Sequence, residues 1–420
     1  MTDRPQPSFD PSASGAPRAA GYRLETWTVH AGRPGWPREG HSAAPPEAGQ
    51  PTAPTIVPAT AYWYPDAAAL DRVIEDGTRG FSYSRYGTPT AAALEAALAG
   101  LEGTEAAIAY PSGMAAIHAA LLGAGLRPGD RLLLSRDVYG ATFTLARRLF
   151  VELGVQVELV DATDTAAARA ALQRLRPRAF LFETISNPLL RVVDGPALVA
   201  AAHEAGALVI VDNTFATPLL ARPAEWGADF VVHSTTKFLS GHGDVTGGVI
   251  CTTAERRRAL LELNKMVGAV PSPFDCWLTL RGLRTLAVRV ERQTRTAAAL
   301  AARLQAMPGV ARVHYPGLPG HPDHERAARL LRAPGSMIAL DLAGGRAAAL
   351  ALLERCRLWI PATTLGDSWS LILYPAMSSH RALTPEERAA LGIGDGLVRL
   401  SVGLEDEEDL ARDLERALGA

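Results

Sequence analysis

The sequence predicts an α/β protein with a mostly parallel sheet, followed by a smaller α+β unit. Three observations carry this expectation. Between residues 105 and 251, short apolar runs alternate with segments whose apolar residues recur at helical spacing, as in strands joined by crossover helices. The runs are continuously apolar and rich in β-branched residues, as in strands buried on both faces. Beyond Asp275 the pattern changes to one long helical run and then to shorter strands and helices. A chain of 420 residues is long enough for two such units.

Taken in order, residues 1–20 are rich in Pro, Ser, Ala and Gly, a composition expected to be disordered. Residues 21–80 contain a second such stretch, 32–54, which reads as a surface loop. The large unit is expected over 81–270. Its strands are predicted at 106–109, 131–134, 155–160, 179–182, 208–211, 230–232 and 248–250. Helices are predicted at 114–122, 142–153, 166–175 and 197–205. The second unit, 271–420, opens with a helix predicted to run unbroken over 275–307, stopped by Pro308-Gly309. Strands at 337–342, 359–360 and 398–402 and a closing helix at 407–418 follow. Acidic residues 405–409 would open that last helix, where carboxylates favour the N-terminus.

Composition narrows the function classes. The net charge is −2, so no basic surface points to nucleic acid or an anionic membrane. The three cysteines, Cys251, Cys276 and Cys356, fit no metal or disulfide spacing. No signal-peptide pattern or membrane-length apolar stretch is visible, so the expectation is a soluble cytoplasmic protein. His314, His321, His324 and Asp323 lie close together, but their Pro/Gly-rich context reads as a rigid loop leading into a helix, with no metal bound.

The chemistry gathers at strand ends. The run Ala228-Asp229-Phe230-Val231-Val232 leads into His233-Ser234-Thr235-Thr236-Lys237, and Ala207-Leu208-Val209-Ile210-Val211 ends on Asp212. An Asp and a Lys thus close two buried strands at the carboxyl edge, where open α/β sheets bind ligands. That set suits pyridoxal 5'-phosphate (PLP): Lys237 for the aldehyde, Asp212 for the protonated pyridine nitrogen, Ser234 and Thr236 for the phosphate. Ser112-Gly113-Met114 follows another strand and opens a helix, a phosphate-binding arrangement. Tyr139 stands at the next strand-to-helix crossing, able to stack on a flat heterocycle. Glu183-Thr184-Ile185-Ser186-Asn187-Pro188 places the Asn187 amide at the same edge. Tyr83 and Arg85 combine a phenol with a bidentate phosphate donor. Arg399 lies inside an apolar strand and needs a partner, either a structural carboxylate or a substrate α-carboxylate.

From about Leu24 onward the chain resembles the PLP-dependent trans-sulfuration enzymes of cysteine and methionine metabolism. The resemblance rests on Thr28-Val29-His30-Ala31-Gly32, Tyr83-Ser84-Arg85 with Pro89-Thr90, Ser112-Gly113-Met114, Tyr139-Gly140, Glu183-Thr184 with Asn187-Pro188, Val211-Asp212-Asn213-Thr214, Ser234-Thr235-Thr236-Lys237 and Arg399-Leu400-Ser401-Val402-Gly403. The segment from Gly268 to Cys276 looks most like the γ-lyase branch. The resemblance implies the type I PLP fold shared with aspartate aminotransferase, residues 21–80 as an intersubunit arm, and a homotetramer of two active dimers. Tyr83 and Arg85 would then reach the phosphate of the neighbouring subunit. Catalysis would fall to Lys237, Tyr139 and Asp212, and substrate binding to Arg399, Asn187, Thr364 and Trp369. The implied reaction is elimination or replacement at Cγ of a sulfur amino acid or activated homoserine, on the lyase, synthase or sulfhydrylase branch. An aminotransferase or a non-catalytic protein of the same fold is the remoter alternative.

Several positions depart from the family pattern. Trp369 stands where relatives often place a glutamate that can touch a distal amino group, and an indole there would narrow the distal end of the pocket. Thr88 replaces a usual Asn. Ala141 stands where methionine γ-lyases commonly carry Cys. Ser378-Ser379-His380 replaces a frequent Met-Thr-His.

Overall fold

A computed structural model of the chain describes residues 22–33, 52–75, 77, 80–381 and 383–419. The expected disorder at 1–20 and most of the 32–54 loop lie outside these residues.

Seven strands form the large sheet: β1 (Ala106–Tyr110), β2 (Arg131–Ser135), β3 (Gln156–Val160), β4 (Ala179–Glu183), β5 (Leu208–Asp212), β6 (Phe230–His233) and β7 (Gly248–Thr252). Their order is β1-β7-β6-β5-β4-β2-β3. The block from β6 to β3 is parallel, whereas β7 runs antiparallel to both β1 and β6. Strands β4 and β7 are buried at every position, because helices cover both faces. One face packs against the helix Gly113–Gly123, with Ile117, Leu121, Leu134 and Phe230 in a shared core. The other packs against Thr165–Leu175 and Gly195–Glu204 through Leu172, Leu198, Phe180 and Val209.

Local chemistry starts these helices. Ser112, Asp164, Asp194 and Thr253 each accept a backbone N–H of the first turn, satisfying donors that have no partner within the helix. The predicted helix at 142–153 is less regular than its pattern. It runs over Gly140–Thr144 and continues as one π-turn, Leu145–Phe150, a distortion often found beside functional sites.

The small sheet has five strands: β8 (Val310–His314), β9 (Met337–Leu342), β10 (Ile360–Pro361), β11 (Leu371–Leu373) and β12 (Leu397–Ser401), ordered β10-β11-β12-β9-β8. Only β10 and β11 are parallel. The amphipathic closing helix Glu407–Leu418 buries Leu410, Leu414 and Ala417 against it. Asp406 caps that helix.

The long helix expected over 275–307 is two helices, Pro273–Leu283 and Leu286–Leu304. The break frees carbonyls for a buried cation. Arg289 donates to Gly282 O at 2.9 Å, Phe238 O at 2.8 Å and Thr285 Oγ1 at 3.0 Å. Gly282 also lies so close to Ser240 that a Cβ would sit 2.2 Å from its carbonyl oxygen. The helix Ala254–Val267 and strands β8 and β11 were not foreseen. His314 ends β8 rather than lying in a loop, and its Nε2 is 2.7 Å from Asp341 Oδ2. Asp323 pairs with Arg191 at 2.6 Å. Among the described residues no His/Cys/Asp/Glu group is arranged to hold a metal. No described helix is long and apolar enough to cross a membrane.

Candidate active site

Where the carboxyl ends of β4, β5 and β6 face the small sheet, a cavity of about 390 Å³ opens. Parallel pairing sets Glu183 opposite Asp212, and Asp212 opposite Val232. The polar residues that end the three strands therefore share one rim. The cavity is lined by Ser112, Gly113, Met114, Tyr139, Glu183, Asn187, Asp212, Ser234, Thr236, Lys237 and Arg399, among others.

Lys237 follows β6 on a turn closed by its own N–H to Ser234 O at 3.2 Å. Its Nζ lies 2.9 Å from Thr364 Oγ1, on the small-sheet side. Burial, with Arg399 adding to it and Asp367 opposing, lowers its ammonium from the usual 10.5 to about 8. Such an amine is available as a nucleophile near neutral pH. Lys265, the other lysine in the chain, pairs with Glu262 at 2.6 Å and lies over the Tyr86 ring.

Asp212 Oδ1 accepts from Thr214 N at 3.0 Å and from Thr214 Oγ1 at 2.6 Å. These bonds aim the carboxyl into the cavity. Burial pushes it up, and the Thr214 donors hold it back; a cationic ring nitrogen would restore the charged form. Gly113 opens its helix beside Ser234, and a Cβ there would come within 2.8 Å of Ser234 Cβ. Glycine thus leaves a cradle lined by the first helix amides and the Ser234 side chain, an anion site at a helix start. Thr236 Oγ1 exchanges hydrogen bonds with Gly247 N and O at 3.0 and 3.2 Å, closing that side.

Arg399 enters from the middle of β12 and is 3 % exposed. Its Nη1 donates to Asn187 Oδ1 at 2.8 Å and its Nη2 to Thr364 O at 3.0 Å. Its Nε is buried without a hydrogen-bond partner among the described residues. Burial lowers this guanidinium to about 10. A buried cation held by two neutral oxygens, with an N–H left over, suits an incoming carboxylate. Among the described residues no carboxylate is hydrogen-bonded to Arg399.

A family model described as "Cys/Met metabolism PLP-dependent enzyme" matches residues 39–419. The chain belongs to this family. Its members depend on PLP, and the cavity fits that cofactor: a glycine cradle for the phosphate, a strand-end carboxylate for the ring nitrogen, a buried amine for the aldehyde. The chain is 39 % identical to O-succinylhomoserine sulfhydrylase of Pseudomonas aeruginosa over 400 residues, 95 % of this chain and 96 % of that protein. It is 46 % identical to L-methionine gamma-lyase of Pseudomonas deceptionensis over 345 residues, 81 % and 86 % of the two chains. The crystal structure of cystathionine gamma synthase from Xanthomonas oryzae pv. oryzae in complex with aminoacrylate and cysteine superposes with a TM-score of 0.86. It is 38 % identical, covering 95 % of this chain and 98 % of that one. The large mostly parallel sheet and separate small sheet are thus those of the type I PLP fold.

Two groups of sequence-predicted residues lie elsewhere. Tyr83 and Arg85 flank and form the turn Ser84–Tyr86, outside this cavity. Arg85 stacks between Tyr83 and Tyr86, 5.4 and 4.9 Å from the ring centroids, and donates to Lys265 O. Trp369, expected to narrow the distal end of the pocket, is not among the residues lining this cavity. The turn that carries it is pinned by Glu405, which accepts Ser370 N at 2.7 Å and Ser370 Oγ at 2.9 Å. The indole lies instead against Gly243, where a Cβ would meet it at 2.6 Å.

Sequence reasoning assigned no role to Glu183 or Asp367. Tyr139 N donates to Glu183 Oε1 at 2.6 Å. Asp367 is buried behind Lys237, its Oδ2 3.2 Å from where a Gly243 Cβ would stand, and burial pushes it up to about 6. A strand-final Glu beside Asp212 was a visible signal for the first. The second sits on an irregular turn that no periodicity marks.

Proposed function

We propose that this enzyme catalyses elimination or replacement at Cγ of a sulfur amino acid or an activated homoserine, in the manner of cystathionine γ-lyase or γ-synthase. Family membership supports the reaction class. The observation that carries the reading for this chain is the buried Arg399 with its unpartnered Nε, facing the same cavity as Lys237. Arg399, oriented by Asn187, fixes the substrate α-carboxylate and so orients the Cα–H bond toward Lys237. Bound PLP supplies an electron sink at Cα. Lys237, whose Nζ would hold the cofactor's aldehyde, would take the Cα proton and return it to the carbon skeleton. Thr364 holds its Nζ between these positions. Asp212 would face the ring nitrogen and favour its protonated form. Tyr139 exchanges a proton with the γ-substituent as it leaves or enters. Methionine γ-lysis and O-acylhomoserine sulfhydrylation use the same groups and differ in the leaving group and in whether a thiol enters.

Tyr83 and Arg85 serve the phosphate of a neighbouring subunit in a homotetramer of two dimers, and the protein works in the cytoplasm. Exposed apolar side chains near them support a covered face: Trp63, Tyr86 and Met266. Mixed oligomers of Arg85→Ala and Lys237→Ala subunits should regain activity, because one hybrid site is wild type. Verified hybrids without recovery would place both ligands in one chain's own site.

The reaction itself is tested by incubating the protein with cystathionine, with methionine, or with an acylhomoserine plus cysteine, and identifying products by mass spectrometry. A 2-oxo acid with released thiol, or a new thioether, is expected without an added 2-oxo acid. Turnover only with an acceptor 2-oxo acid would make the protein an aminotransferase.

A further inference from the structure

Asp323 stands at the N-cap of the helix His324–Leu330, in the unit of the small sheet, and is 4 % exposed. An aspartate in that place ordinarily accepts an amide of its own first turn. Asp323 makes no such bond. Its side chain turns instead to the loop after β4 in the large unit. Oδ2 accepts Arg191 Nε at 2.6 Å and Val192 N at 3.1 Å, and Oδ1 accepts Arg191 Nη2 at 3.3 Å. Three residues on, Arg326 Nη1 donates to Val192 O at 2.8 Å and to Asp323 Oδ1 at 3.1 Å. Small-unit side chains thus meet both backbone polar groups of Val192.

That loop is one tight turn. Ile185 and Val192 pair across it, Ser186 N donates to Arg191 O at 2.9 Å, and Leu190 N donates to Ser186 O at 3.1 Å. Leu190 has a φ of 58°, a left-handed conformation uncommon outside glycine, so contacts from outside help to hold the turn. Near its start, Asn187 Oδ1 accepts Arg399 Nη1 at 2.8 Å. The turn is therefore fastened to the small unit twice, at Asn187 and at Arg191–Val192.

We propose that Asp323 is a positioning residue for substrate binding: it holds the turn 186–192 from the small unit and thereby sets Asn187 against Arg399. Arg399 and Asn187 come from different units, so the aim of the guanidinium depends on where the turn sits. Without the Asp323 carboxylate, the Arg191 fork and the Val192 N–H lose their buried acceptor. The turn can then relax, and Asn187 moves with it. The side-chain hydrogen bonds of Asp323 reach none of the elements that carry Lys237, Asp212 and Tyr139, so the groups that handle protons keep their places. The geometry also explains the residue type. A carboxylate offers acceptors to a planar fork and to an amide at once. Asparagine keeps one acceptor and turns N–H groups toward a guanidinium.

The kinetic arm of the test rests on the proposed Cγ reaction; the binding arm does not. L-norleucine, an amino acid without a leaving group, is titrated against the absorbance of the bound cofactor. The Asp323→Asn holoenzyme should keep wild-type PLP stoichiometry and bind norleucine about tenfold more weakly. KM should rise by a similar factor, with kcat within about twofold. In an Asn187→Ala background, Asp323→Asn should weaken norleucine by less than about a further twofold, because the residue it acts through is gone. Asp413→Asn is the matched control. Asp413 is 6 % exposed and accepts Arg357 N at 2.9 Å and Leu358 N at 2.8 Å, away from this turn. Its loss should lower Tm and leave norleucine affinity within about twofold. Arg191→Lys keeps the charge but not the fork. It should reproduce the norleucine loss, and it stands in if Asp323→Asn fails to fold. Wild-type norleucine affinity in both Asp323→Asn and Arg191→Lys would overturn the proposal. So would a loss of equal size with and without the Asn187 amide, or an equal loss from Asp413→Asn, since either marks a merely structural residue. If wild type turns over no Cγ substrate, the proposed function fails while the norleucine titration still decides the role of Asp323.

Discussion

The two sheets contribute to the site in different ways. The large sheet presents its chemistry at strand ends: Glu183, Asp212 and, four residues past His233, Lys237. The small sheet presents Arg399 from mid-strand, paired with Leu373 on one side and Ala339 on the other, and Thr364 and Asp367 from a turn between β10 and β11. Strand-end groups are brought together by sheet register alone. Small-sheet groups reach the cavity only because the two sheets pack together. The first half should therefore govern the chemistry of the cofactor, and the second should govern how the amino acid is held. Two buried arginines make the same contrast. Arg289 directs its donors to Gly282, Phe238 and Thr285 inside the fold, whereas Arg399 keeps Nε free beside the cavity.

The largest expected effect lies on the strand-end side. Lys237→Ala should lower kcat on the order of 10³-fold or more, while Lys265→Ala stays within about twofold. Initial rates on the best substrate decide this, and comparable losses would dissolve the distinction between the lysines. Next, Arg399→Lys removes the planar fork but not the charge. KM should rise by roughly two orders of magnitude, with kcat falling less than about tenfold. Arg289→Lys should instead lower Tm, at a cost of about 1–3 kcal/mol for unmet buried acceptors, and leave KM within about twofold. If Arg289→Lys raises KM as far as Arg399→Lys does, the contrast between the two arginines fails.

How much of this was legible depended on whether a residue's setting is written locally. Asp212 and Lys237 could be read because an apolar run stops on or near them, and parallel pairing does the rest. Arg399 could be read because a charge inside an apolar strand needs an explanation. Trp369 was misread. Its place in a motif said where the turn lies but not which way the indole faces, and the Ser370–Glu405 bonds decide that. Asp367 went unread because its burial arises only when the turn packs against Phe238 and Gly243. The break at Arg284 and Thr285 went unread because the apolar spacing continues across it, while the contacts of Arg289 at the break form through space.

A smaller effect concerns pH. Burial and Arg399 both disfavour the Lys237 ammonium, so the neutral amine becomes the main form above about pH 8 rather than above 10.5. The rate of covalent PLP capture by the apoprotein should rise with pH and level off near that value. Asp367 opposes this shift by favouring the ammonium. Asp367→Asn should therefore move the midpoint lower, and a midpoint that moves upward would reverse the assigned sign. Smallest of all, Trp369→Glu should change kcat/KM for cystathionine by less than about threefold, because the side chain lies on Gly243 outside the cavity. A tenfold change would bring Trp369 back into the substrate site.

The central claim is that Lys237, where the two sheets meet, is the residue that carries PLP. Borohydride reduction of the holoenzyme followed by peptide mapping tests it most directly, because the chain has two lysines and each falls in a different peptide. The account predicts the pyridoxyl group on the peptide containing Ser234-Thr235-Thr236-Lys237, with Lys265 unmodified. A pyridoxyl group on Lys265, or on neither lysine in protein that holds PLP, would contradict it.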